Sequence, residues 1–452
     1  MGRQERPYSF GQRRRTRRLL SLALALVCLT GAGADEDQTV RALRRTRMAT
    51  TEADLQAARH QGLDAYLAEQ LHPDRRPEPP VQVQLKSLPY LELPPAEIYR
   101  ALVDHPQATQ VLVRERQRAR LVRGLTSKWQ LREVMTEFWF NHFNADPRKN
   151  EVVACNFGRL EDDLRRHALG KFGDLLRVAV TNPAVLENLD NTVSPGQAVN
   201  ENFGRELLEL YTCGPVYSQA EVVACARLFS GWSYQNDPGQ PDYLQFRYYP
   251  DYHAPGPQVI LGQSLEDGQA ALAMLAVHPA TAHFLSQKLV TRFVSDTPPP
   301  ALVERAAQTY LASGGEIAEV MGVILDSPEF REGGAKLATP TQFVCSALAA
   351  SGTEPVPEAA VAAIEEMGSP YYCPNPGGWP DRASTWLSTV GLKARRQVIA
   401  SLATPAATPE QALQRYLLGQ ATADTMAALE AARGKPGRLL DLALSSPDFQ
   451  AP

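Results

Sequence analysis

This sequence of 452 residues has no cysteine pairs at metal-binding spacing, no long basic run outside its first 18 residues, and no apolar stretch long enough to cross a bilayer. Its six cysteines (Cys28, Cys155, Cys213, Cys225, Cys345 and Cys373) form no CxxC and no Cys/His ladder, which excludes a structural zinc site of the usual spacing. No G-x-S-x-G elbow, P-loop or glycine-rich dinucleotide fingerprint occurs, so the common signatures of serine hydrolases, nucleotide hydrolases and Rossmann enzymes are missing. The apolar run Leu19–Leu29 reaches only about half the ~20 residues of a membrane-crossing helix.

What the first 34 residues do contain is the pattern of an export signal. A basic stretch (Arg13, Arg14, Arg15, Arg17, Arg18) precedes the apolar run, and Ala32-Gly33-Ala34 supplies the small-x-small site that signal peptidase cuts. Leu26-Val27 before Cys28 is too bulky for lipoprotein cleavage. Thr16-Arg17-Arg18-Leu19-Leu20 resembles a twin-arginine signal, so that route and the general secretory route both stand. Residues 1–34 are therefore set aside as a signal peptide. Their removal takes away seven arginines and one glutamate, leaving 39 basic against 49 acidic residues with no polybasic run. An acidic balance of this kind disfavours nucleic acid as a partner, and no membrane span is expected after cleavage. Five cysteines remain, an odd number. Cys213 and Cys225 fall on adjacent expected helices, so they form either a disulfide or two buried thiols.

Helical patterning dominates the mature chain. Thr51 and Asp54 open a helix that stops at Gly62, and Leu63, Tyr66, Leu67 and Leu71 mark the next apolar stripe. Prolines make 73–95 an extended connector, in which Val81, Val83 and Leu85 alternate as in a short strand. Ser127 and Gln130 have the spacing of a capping box for a helix whose inward stripe runs Leu131, Val134, Met135, Phe138, Trp139 and His142. A helix is expected from Asn200 to Cys213, closed by Gly214-Pro215, and Ser218 with Glu221 caps the next. Leu244, Phe246 and Tyr248, followed by Val259-Ile260-Leu261 after a turn, suggest one small hairpin. Helices follow at about 266–276, 279–294, 301–312, 315–326, 339–350 and 357–366. Ser327-Pro328 and Ser446-Pro447 each read as a stop followed by a fresh N-cap with proline at N1. The expected fold is all-α with one minor β-hairpin, a main domain over 35–403, and a small C-terminal helical segment over 404–452.

The densest polar cluster is Asn200, Glu201, Asn202, Arg205, Glu206 and Glu209. On a regular helix Glu201, Arg205 and Glu209 lie along one line, giving two i,i+4 ion pairs worth about 0.2–0.5 kcal/mol each. The same residues could instead hold two carboxylates in a cleft, one ionised and one with a raised pKa, for acid/base work. His142, on the apolar stripe, is either a core imidazole bonded to a backbone carbonyl or a partner of the Glu206 face. Glu206-x-x-Glu209 lacks the histidine that helical di-metal sites use, so no metal is assigned and no cofactor is legible. Trp379, in the Pro/Gly-rich stretch 371–382, either lines a pocket or packs a loop over helix ends.

Five stretches together resemble one family, the exported bacterial proteins grouped as domain-of-unknown-function family 1800. They are FWFNHF (Phe138–Phe143), NENFGRELLELYTCG (Asn200–Gly214), ARLFSGW (Ala226–Trp232), HPATAHFLSQKLVTRFV (His278–Val294) and NPGGWP (Asn375–Pro380). The resemblance implies a largely helical exported protein with no established activity. Gene neighbourhoods in that family point to an exported partner protein. The sequence departs from the family pattern at Arg47-Met48, at Ala254 and Gln258 after His253, and at Phe140. Two functions from different classes follow. One is a hydrolase or lyase of envelope or extracellular material, with Glu206 and Glu209 as acid/base, Arg205 and His142 orienting them, and Asn200, Glu201, Asn202, Trp139 and Trp379 binding substrate. The other is a non-catalytic binding or assembly protein acting with another exported protein.

Overall fold

A computed structural model describes residues 38–74, 76–105, 107–193, 199–373, 375–404 and 406–451. The expected signal segment 1–34 and the expected loop at Ser194-Pro195-Gly196 lie outside the described residues. Helices carry the architecture, as the apolar periodicity requires. The strands among the described residues are two short antiparallel pairs. Where the sequence suggests one hairpin joining the 246–248 and 259–261 segments, each finds a different neighbour. Phe246–Tyr248 pairs with Trp232–Tyr234, and Gln258–Ile260 pairs with Gln263–Leu265. The turn at Leu261-Gly262, with both residues at positive φ, closes the second pair locally, so 258–260 needs no distant partner.

Local capping follows the sequence closely. Thr51 with Asp54 and Ser218 with Glu221 form reciprocal capping boxes. Ser327 and Ser446 cap short helices that start at Pro328 and Pro447. Two expectations fail. Ser127 and Gln130 do not form a box: Trp129 is the N-cap of Gln130–His142, while the Ser127 hydroxyl donates to Glu78. The segment 79–85 is a helix rather than a strand. Pro79 and Pro80 suit the first helical turn, where no amide partner is needed. Val81 and Leu85, four apart, share the inward face, while Val83 is 68% exposed.

The core is built around aromatic residues of three helices, Gln130–His142, Glu151–His167 and Phe172–Val180. Trp139, Phe140, Phe143, Phe157 and Phe172 are fully buried there. Pro279–Phe293 packs against Pro300–Ser313, and Glu201–Glu206 against Gln219–Leu228. In the last pair Gly204 lets the backbones approach: a Cβ there would lie 2.7 Å from the Val222 carbonyl oxygen. After residue 404, Pro409–Leu417, Ala423–Ala431 and Pro436–Ser445 pack on one another and on Pro340–Ser351 and Thr389–Ala400. The first described helix, Gln38–Thr46, is tied to the far end of the chain. Arg44 donates to the carbonyl of Asp448, 404 positions away, Arg45 to those of Phe330 and Gly334, and Arg41 to that of Arg331. Gln342 reaches back to the Arg47 carbonyl at 2.9 Å.

Candidate functional site

The polar helix is not one regular helix. It is α-helical over Glu201–Glu206, with the Asn200 side chain capping the Asn202 amide, and widens to a π-helix over Leu207–Thr212. The wider turn breaks the expected line of charges. Arg205 pairs with Glu201 at 3.3 Å and with the Gln219 side chain at 3.0 Å, but the second ion pair, to Glu209, is not formed. Glu209 accepts the Tyr217 hydroxyl instead. Asn202 donates to the Leu189 carbonyl at 3.3 Å. Glu206 is partly buried, and no hydrogen-bond partner of its carboxylate occurs among the described residues. Burial, then the neighbouring Glu209, raises its pKa above the usual carboxylate value against the pull of Arg205.

His142 does not meet Glu206. Its ring is 1% exposed and lies among Phe138, Phe143, Phe172 and Tyr211. Nε2 lies 3.1 Å from the carbonyl oxygen of Tyr211, and Nδ1 lies 2.7 Å from the Lys288 ammonium. With Lys288 donating to Nδ1, the proton of the neutral ring sits on Nε2 and is given to the carbonyl. The wide π-turn is what presents that carbonyl to the ring. Burial, then Lys288, drives the imidazole well below its ordinary pKa. Burial also lowers Lys288 to about 8, against the attraction of Asp381. Lys288 lies inside a quoted motif, yet a lysine in that stripe reads as a surface residue. The available signal is its place between Leu285 and Leu289, one turn from Phe284 and Arg292.

The two tryptophans are framework residues in this geometry. Trp139 is fully buried and donates its indole N–H to the Ala168 carbonyl at 2.8 Å. Trp379 packs edge-on to Trp386, with ring centroids 5.7 Å apart. Asn141 clamps the Trp379 backbone from both sides, donating to its carbonyl and accepting its amide, both at 2.9 Å. Asn144 holds Cys373 and Asn375 in the same way. The clamp requires Gly378 at φ +69°, since a Cβ there would lie 2.3 Å from Asn141 Oδ1. The 371–382 loop is thus fastened over the end of the Gln130–His142 helix. The cysteines of the described residues form no disulfide: Cys213, Cys225, Cys155 and Cys345 are buried thiols and Cys373 is partly exposed. No three metal-ligating side chains come together among the described residues.

A different part of the molecule combines open volume with buried charge. A cleft of about 560 Å³ lies between the Pro79–Leu85 helix and three long helices, Ala108–Thr126, Gln130–His142 and Glu151–His167. Arg76, Arg123, Arg132, Arg165 and Arg166 line it, together with apolar Leu71, Val81, Leu85 and Leu169. Beneath it runs an ion-pair network. Arg120 donates to Glu161 at 2.8 and 3.0 Å, and Arg116 to Asp162 at 2.7 Å. Arg165 donates to Glu133 at 3.0 Å and Asp162 at 2.8 Å, and Arg132 engages Glu78 and Glu133. The Tyr371 hydroxyl donates to Glu161. Burial pushes the Glu161 carboxyl up, but Arg120, Arg165 and Arg123 outweigh it and hold the pKa at about 2. Arg123 is the exception among these arginines. Its guanidinium makes no hydrogen bond and approaches Asp162 only to 3.8 Å, and its Nη1, like Nε of Arg116 and Nη2 of Arg165, is buried without a partner. Burial, then the neighbouring Arg165, lowers its pKa, whereas those of Arg116, Arg120 and Arg165 are raised. Nothing in the sequence sets Arg116, Arg120 and Arg123 apart from the more exposed Arg114 and Arg118, and the acids of Glu151–His167 turn those three inward.

A protein-family model described as a protein of unknown function, DUF1800, matches residues 41–451. No curated protein and no solved structure matches the chain.

Proposed function

Because the chain belongs to the DUF1800 family, whose description assigns no activity, we propose from geometry that it is an exported, non-catalytic binding protein whose site is the arginine-lined cleft. One observation carries this reading. None of the residues that would make an acid/base centre lines this cleft, and His142 is sealed while Arg205 turns toward Glu201 and Gln219. The cleft of about 560 Å³, by contrast, has the size of a small-ligand site and a floor of buried charge. Five arginines on its lining favour an anionic ligand, since guanidinium donors match carboxylate and phosphate oxygens in geometry and charge. Export rests on the basic, apolar and small-x-small sequence of residues 1–34. An exported partner would deliver or receive the ligand.

The unconverted state of the ligand is the test. The purified mature protein is incubated with a small-molecule extract of spent growth medium, ultrafiltered, and the retained compounds are identified by mass spectrometry. An anion retained unchanged by the wild type and released by Arg123→Gln is the expected result. Turnover of a retained compound to a product that Glu206→Gln abolishes would favour the hydrolase or lyase instead. Equal retention by wild type and Arg123→Gln would remove the cleft from the account.

A further inference from the structure

Resting on the binding reading above, the structure points to the ligand class of the cleft. We propose that it binds a small organic acid with one carboxylate and an apolar body, its carboxylate completing the ion network at Arg123. The first argument is charge. Beneath the cleft five guanidiniums (Arg116, Arg120, Arg123, Arg132, Arg165) meet four carboxylates (Glu78, Glu133, Glu161, Asp162). One positive charge is left over. It falls on Arg123, the member with the longest contact and the one whose guanidinium makes no hydrogen bond. A buried charge without a counterion is costly, and a single carboxylate removes that cost without introducing a new excess. A doubly charged phosphate would overshoot it.

The second argument is the competition on the lining. Asp74 is taken by Arg76, Glu78 by Arg132, and Glu133 by Arg132 and Arg165. Arg166 is paired with Asp163, and Arg116 and Arg165 each keep one buried nitrogen without a partner, but among the described residues Arg123 is the network cation whose guanidinium makes no hydrogen bond at all. Glu92 is exposed, where solvent screens it. Nη1 of Arg123 is covered by its neighbours, so an arriving carboxylate recruits it through a turn of the side chain. The third argument is the apolar part of the wall. Leu71, Val81, Leu85 and Leu169 face the same volume, and Val81 and Leu85 come from the short helix that closes one side. A ligand that buries only a charged head would leave this wall wet. An alkyl or aryl body uses it, and each buried methylene strengthens binding about fourfold at full burial.

The test is calorimetric titration of the mature protein with acetate, butyrate, hexanoate and octanoate, with octanamide and inorganic phosphate as controls. Flexible chains are chosen so that a failure cannot be blamed on shape. The expected result is affinity rising about twofold to fourfold per methylene, octanamide at least about tenfold weaker than octanoate, and Arg123→Gln at least about tenfold weaker for octanoate. Because burial and the neighbouring Arg165 disfavour the Arg123 charge more than Asp162, Glu133 and Glu161 favour it, Arg123→Gln should keep the wild-type melting temperature or exceed it, so its loss of binding is not a loss of fold. Octanamide binding as well as octanoate, or octanoate binding unchanged in Arg123→Gln, overturns the proposal. Affinity that is flat from acetate to octanoate, with phosphate bound in an Arg123-dependent way, overturns the ligand class while the anion-binding reading stands. No binding of any anion, phosphate included, ends both.

Discussion

At the scale of single residues, partners rather than spacing decide what each candidate does. Glu206 was legible as a perturbed carboxylate from its place beside Glu209, and its pKa is indeed raised by burial and by that neighbour. What the sequence did not carry was isolation: among the described residues no hydrogen-bond donor reaches the Glu206 carboxylate, while Glu209 takes the Tyr217 hydroxyl. A carboxyl whose folded pKa lies above its unfolded value binds more protons in the fold than in the open chain. Stability is therefore lost as pH rises through the window that starts at the ordinary carboxylate pKa, and stays lost above it. Glu206→Gln should thus raise the unfolding free energy near neutral pH by about 0.5 kcal/mol, given solvent screening, and change nothing at low pH. Urea unfolding at pH 3 and pH 7 checks this. A loss of several kcal/mol at pH 7 would instead make Glu206 a structural partner. His142 shows the reverse case. Its inward face followed from the 3.6-residue stripe, which left a carbonyl bond and a meeting with Glu206 both open; the first is formed, and its second contact, Lys288, comes from a helix 146 positions away.

Between elements, the decisive contacts are made by side chains and glycines in irregular segments. Helix positions and most caps could be read from periodicity and from Ser/Thr followed by Glu, Asp or Gln, because those signals are local. The 79–85 helix was misread because Val81 and Leu85, four apart, share a helical face as well as a strand face, and the exposed Val83 between them completes an alternation that only a strand would use. The hairpin pairing was misread because strand partners are set by turns that periodicity does not encode. The Asn141–Trp379 clamp is nonlocal too, though Gly377-Gly378 marks where the chain must bend closely. Gly378→Ala adds a Cβ against Asn141 in a left-handed conformation. The loop should lift from the helix end, with a loss of about 2–4 kcal/mol in denaturant unfolding. Faster protease cleavage within 371–382 should accompany it. An alanine that leaves both stability and cleavage unchanged would show that the loop is not held there.

At the scale of the whole molecule, one buried ion network joins the Ala108–Thr126, Gln130–His142 and Glu151–His167 helices to the 371–382 loop through Glu161 and Tyr371. Glu161, held at about 2, has a folded pKa below its unfolded value, so its contribution is complete above the ordinary carboxylate pKa of 4.5 and is lost as pH falls from there toward about 2. Glu161→Gln should cost about 3–5 kcal/mol at pH 7, because Arg120 is left buried with half its partner gone. The variant should also show a flatter acid-unfolding curve between pH 4.5 and 2. An unchanged acid transition would show that other carboxylates govern it. The fold class was legible because helices announce themselves within a dozen residues, while this network needs charges from four separate stretches. The same separation governs how the chain comes together. The Gln38–Thr46 helix takes carbonyl acceptors at 330–334 and a last one at Asp448, so a polypeptide made or threaded from its N-terminus completes that arginine-rich helix's bonding only when almost every other residue has emerged. A product cut short by a single terminal helix would therefore be weakened at the opposite end as well, where Arg44 loses the Asp448 carbonyl.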